Sequence, residues 1–137
     1  MGGGHGMMGW GAHQGMVAVY PPQLVLRFAT EVGVDDATVA KIRKLYFAAQ
    51  AKMHGHRARA QSAKLEVARL MSEPKIDQRK IDGQIDIATK AMADVGKLLT
   101  RLLADTRAAL NAEQRAKLDE LRSRPGKRGA GRGFGAL

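Results

Sequence analysis

No cysteine occurs in the 137 residues, which removes disulfide staples, thiolate zinc sites and thiol catalysis together. Aromatic side chains are almost as scarce, at 4% of the chain. Burial must then come from Leu, Ile, Val, Met and Ala, which line helix-on-helix seams more readily than sandwiches. No apolar stretch approaches the ~20 residues of a membrane span, and the run Met16 to Tyr20 is too short for a signal-peptide core. Acid is in deficit as well: 13 Asp and Glu stand against 23 Lys and Arg, a net charge of +10. Such a surplus attracts polyanions, anionic membranes and acidic proteins at long range, without choosing among them. Catalytic constellations are missing too, with no phosphate-cradling glycine loop, no His-Glu-x-x-His and no partnered Ser nucleophile. The expectation is a non-enzymatic binding protein.

What the chain does have is period. Asp35 or Asp36 is a suitable N-cap. From there small and apolar residues step by three and four: Val39, Ile42, Tyr46, Ala49, Met53, His56, Ala60, Ala63, Val67, Leu70. A 3.5-residue repeat over more than four heptads predicts one long helix with a helix-pair seam. Ser72-Glu73-Pro74-Lys75 interrupts it, Asp77 offers a second cap, and the pattern resumes as Ile81, Ile85, Ala88, Met92, Val95, Leu99, Leu102, Thr106, Ala109. A connection this short makes the two helices antiparallel. Val67 should then face Ile81, Ala63 face Ile85, Ala60 face Ala88, His56 face Met92, Met53 face Val95, and Ala49 face Leu99. Gly55 and Gly96 fall at nearly the same height, where a bend is expected.

The fold class is therefore all-α: a long antiparallel helical hairpin, from about Asp36 to Arg122, flanked by short helices. Residues 1–22 read as a Gly-, His- and Met-rich tail that Tyr20-Pro21-Pro22 ends. Residues 23–122 form the single hairpin domain, opening with a short helix from Gln23 to Val32 that turns Leu24, Phe28 and Val32 to one face and stops at Gly33. Asn111 and Gln114 have capping-box spacing for a last helix. Residues 123–137 are a basic, glycine-rich tail expected to be disordered.

Val34 to Leu45 aligns without gaps on Leu110 to Leu121, with apolar, cap and Lys positions coinciding. Each copy opens a helix, and an antiparallel hairpin brings both to one end, where they should pack as a pair. On these residues the chain resembles the Spy, CpxP, ZraP and CnrX group, marked by two Leu-Thr-x-x-Gln motifs flanking a helical hairpin. The second motif is Leu110-Asn111-Ala112-Glu113-Gln114, with Asn for Thr. The first is Val34-Asp35-Asp36-Ala37-Thr38, in which Asp35 keeps the capping role and Thr38 replaces Gln. The resemblance spans about Gln23 to Arg122. It implies a periplasmic protein whose signal peptide is absent from this sequence, often a homodimer cradling its ligand on a concave, positive face without nucleotide. Members act as ATP-independent chaperones, as inhibitors of a membrane sensor kinase, or as metal sensors.

Four places can carry such work. His5, Met7, Met8 and His13, with Trp10 and Met16 nearby, combine imidazole and thioether, a donor set for copper, with zinc or nickel taking the imidazoles. The other reading is a solvated tail with incidental His and Met. Met53, His56 and Met92 form a second candidate metal site across the seam. The other reading of His56 is a neutral packing residue or a dimer contact, and His54 is expected to point outward. The first long helix gathers Lys41, Arg43, Lys44, Lys52, Arg57, Arg59 and Lys64, with Leu45, Phe47 and Leu65 as apolar contacts, a face suited to acidic or unfolded clients. The C-terminal Arg-Gly segment around Phe134 resembles RNA-binding tails. It supports a competing class, a basic coiled coil that binds nucleic acid.

Overall fold

A computed structural model describes residues 19–124. They contain no strand and form five helices: α1 Pro22–Arg27, α2 Ala29–Val32, α3 Asp36–Met71, α4 Gln78–Ala108 and α5 Ala112–Ser123. The long pair α3 and α4 packs together as the expected hairpin. Asp35 caps α3 by accepting from the Thr38 amide at 2.7 Å, and Asp77 caps α4 by accepting from the Lys80 amide at 3.3 Å. Both helices run unbroken through Gly55 and Gly96. Between them Ser72 closes α3 by donating to the Arg69 carbonyl at 2.6 Å, and Arg69 is clamped by Glu66 and Glu73.

The expected single helix from Gln23 to Val32 is two, broken at Phe28, whose φ of −107° and ψ of 15° leave the helical basin. Its inner face also differs. Pro22, Val25, Ala29 and Val32 are buried, while Leu24 and Phe28 are half-buried. The expected set steps by four and the observed one by three and four, both helical spacings, so spacing alone does not separate them; the smaller set goes inside. The folded unit also begins before Gln23, because Tyr20 is only 4% exposed. Its hydroxyl donates to Asp119 Oδ2 at 3.1 Å, and the Arg122 guanidinium lies 5.3 Å from its ring centre. Burial pushes the Tyr20 phenol above its ordinary range, with the Asp119 hydrogen bond and charge adding to the effect.

The densest core lies at the open end of the hairpin. It joins Tyr20, Val25, Ala29, Val32, Val34, Ile42, Leu110 and Leu118. Four of these are repeat equivalents, Val34 with Leu110 and Ile42 with Leu118, so the two copies pack as a pair. The capping box of α5 is complete: Asn111 Oδ1 accepts from the Gln114 amide at 2.8 Å, and Gln114 Oε1 accepts from the Asn111 amide at 3.0 Å. Gln114 Nε2 donates in turn to the Gly33 carbonyl at 3.0 Å. Gly33 sits at φ +81°, a left-handed turn that a side chain would strain. One glutamine thus ties the second motif to the residue just before the first.

Ile42 and Leu118 are fully buried, so Leu118→Ala should cost about 2–5 kcal/mol by urea denaturation. Leu65→Ala, at a 62% exposed position, should stay within about 0.5 kcal/mol. Equal costs at the two sites would mean that the paired repeats are not the core.

Candidate metal and client surfaces

The seam of α3 follows its sequence period. Ile42, Met53, Ala60, Ala63 and Leu70 are buried, and Val39, Tyr46, Ala49, His56 and Val67 are half-buried. On α4 the expectation holds for Ile81, Val95, Leu102 and Thr106, which are buried, and for Ala88 and Ala109, which are half-buried. It fails for Ile85, Met92 and Leu99, which are 47%, 45% and 43% exposed. Gln84, Ala91 and Leu98 take those places. After Ile81 the repeat can continue by three or by four residues, and apolarity favours the larger set. The structure takes the step of three, so that Gln84, Ala91 and Leu98 face α3.

The expected contact between His56 and Met92 is therefore absent from the seam, since Met92 lies on its outer flank. Met53 is buried. His56 instead approaches Asp94, with Nδ1 3.9 Å from Oδ2, and that Nδ1 is buried without a hydrogen-bond partner. Asp94 also accepts from Lys90 Nζ at 3.3 Å. The Lys90 hydrogen bond, then its charge and that of His56, holds the Asp94 carboxyl below its ordinary range. Asp94 was not singled out by sequence, although the antiparallel register places it within two residues of the position facing His56. Among the described residues no three His, Asp or Glu side chains converge to hold a metal ion. His56 and Asp94 alone make a two-donor pair, short of the three or four protein donors common for zinc. His5, Met7, Met8 and His13 lie outside the described residues.

The cationic face is fully displayed. Lys41, Arg43, Lys44, Lys52, Arg57, Arg59 and Lys64 are all exposed, and none forms an ion pair with another described residue. Phe47 and Leu65, 61% and 62% exposed, add apolar area to the same helix. Leu45 differs from expectation: it is half-buried and lines a shallow groove with Ala49, Lys52, Leu98 and Leu102. No described helix is long and apolar enough to cross a membrane.

These features define a class: an all-helical hairpin, closed at its open end by two capped, related segments, with exposed cations along one long helix that form no ion pair among the described residues. Residues 2–117 match the family model for heavy-metal resistance, and the chain belongs to that family. The resemblance drawn from the two motifs is to this same group. No curated protein and no solved structure matches the chain.

Because the Asp94 carboxyl is depressed in the folded state, the stability it contributes is present above its unfolded pKa and is lost as pH falls through the folded one. Carboxyl titration by NMR should place Asp94 below the free aspartate range. Lys90→Met should raise it further than His56→Gln does; the reverse order would make His56 the main partner.

Proposed function

We propose that this chain is an exported, non-enzymatic stress protein that binds metal ions of the copper, zinc or nickel class. The observation that carries the reading is the extent of the family match, which begins at residue 2 and so takes in His5, Met7, Met8 and His13. Imidazole and thioether donors on a glycine-rich backbone can adapt to an ion's geometry, and the mixed set suits copper. His56 and Asp94 contribute a weaker second pair on the hairpin. The periplasm is the compartment that the family implies, and a homodimer is the assembly.

A second reading, ATP-independent holding of unfolded proteins, is favoured by the unpaired cations and exposed Phe47 and Leu65 of α3. Acidic segments would be drawn by charge and retained by apolar contact. A membrane sensor kinase is a further partner in keeping with such a surface. Nucleic acid is the competing polyanion, and would reveal itself by binding that weakens steeply with salt.

Calorimetric titration with copper, zinc and nickel should give micromolar or tighter binding to the intact chain, largely lost when residues 1–15 are deleted. Binding only in the millimolar range would contradict the metal reading. The chaperone reading predicts that substoichiometric protein suppresses aggregation of a denatured substrate without ATP, and absence of any effect at equimolar protein would contradict it.

A further inference from the structure

Helix α4 carries two adjacent 3.5-residue stripes. The first is the seam against α3. The second runs Ile85, Thr89, Met92, Gly96, Leu99, Leu103 and holds no charged residue. The burial changes along this stripe: Leu103 is half-buried, whereas Leu99, Met92 and Ile85 lie open. Helix α1 lies at the base of the hairpin, with Val25 in the core there. It packs on both long helices, and Gln23 donates to the Tyr46 hydroxyl at 3.3 Å, which also accepts from Gln50 at 3.0 Å. The shallow groove on the opposite flank at this height is lined by no residue of α1.

The three open apolar residues form an exposed row along α4. At its far end Ile85 lines a hollow with Lys64, Val67 and Ala88, between α4 and α3. The chain enters the folded unit at the base of the hairpin, against α5. Val19 is held through its carbonyl by Arg122 at 2.6 Å, Tyr20 by Asp119, and Gln23 is already at the height of Gln50. Eighteen residues precede that entry. At up to ~3.3 Å each they reach about 60 Å, whereas the row from Leu99 to Ile85 covers about 21 Å at ~1.5 Å per residue. They contain no Asp, Glu, Lys or Arg, and they supply Met7, Met8, Trp10, Met16 and Val17.

We propose that the N-terminal segment, residues 1–18, docks back along the exposed apolar row of α4 and covers Leu99, Met92 and Ile85. Charge favours this occupant over a second copy, because each copy brings +10 and its own Lys64 and Arg57 to a shared surface. An uncharged segment meets no such repulsion. Tethering adds effective concentration, so modest apolar contact suffices. The consequence for function is that the His and Met donors of the tail lie against the hairpin, and a ligand of either one senses the other. Docking itself needs no metal, so its failure and that of the metal reading are distinguishable.

Trp10 is the sole tryptophan and reports the docking directly. Acrylamide quenching of the metal-free full chain should be about two- to threefold weaker than that of a synthetic peptide of residues 1–18, since an indole packed on apolar side chains is shielded. Met92→Glu with Leu99→Glu, both at exposed positions, should restore peptide-like quenching while helical circular dichroism stays unchanged. Leu65→Glu, on the other long helix, should leave Trp10 shielded. Equal quenching in chain and peptide overturns the proposal, as does shielding that survives the double substitution. Shielding that appears only at concentrations where sedimentation finds a dimer overturns it in favour of a second copy.

Discussion

One side chain joins the two halves of this fold. Gln114 completes the capping box of α5 and also donates to the carbonyl of Gly33, so the start of the last helix and the turn before the first long helix are fixed to each other. Around that link Val34, Ile42, Leu110 and Leu118 form a buried quartet made of equivalent positions in the two repeats. A helical hairpin alone has a thin core, and here the seam contains alanine at Ala60, Ala63 and Ala91, which contributes little burial. Closing the open end supplies what the seam lacks. It also fixes the register of α3 on α4, and with it the heights of every exposed residue toward the tip.

That division of labour leaves the remainder of the hairpin free for binding. Its residues are held by helix geometry and a narrow seam, so their outer positions tolerate unpaired Lys and Arg on α3 and open Ile, Met and Leu on α4. A charge-free stripe on one helix and a surplus of exposed cations on the other are unusual for a solvated surface, where opposite charges are interspersed. The family membership gives the chain a role in heavy-metal resistance, and the proposed tail docking would place its softest donors beside that stripe.

Much of the fold was legible because period survives in sequence: the two long helices, the caps at Asp35 and Asp77, the capping box at Asn111 and the pairing of the repeats all follow from spacing and cap chemistry. What was not legible has one physical cause. Where two stripes share the same period, as with Ile85 against Gln84, Met92 against Ala91, or Leu99 against Leu98, spacing and apolarity do not decide which faces the partner helix. The choice depends on the facing wall, which no local pattern contains. The same ambiguity concealed the open row on α4 and the approach of Asp94 to His56. Candidate metal donors in the tail fall outside the described residues, so the fold adds nothing to their sequence reading.

The central claim is that stability is concentrated at the closed base and the displayed surfaces toward the tip contribute little to it. Native-state hydrogen exchange resolved by residue addresses this directly. The account predicts that amides around Ile42, Val25 and Leu118 exchange last, at the rate of global unfolding, and that protection falls steadily along α3 and α4 toward Leu70 and Ile81. Equal or greater protection at the tip would contradict it.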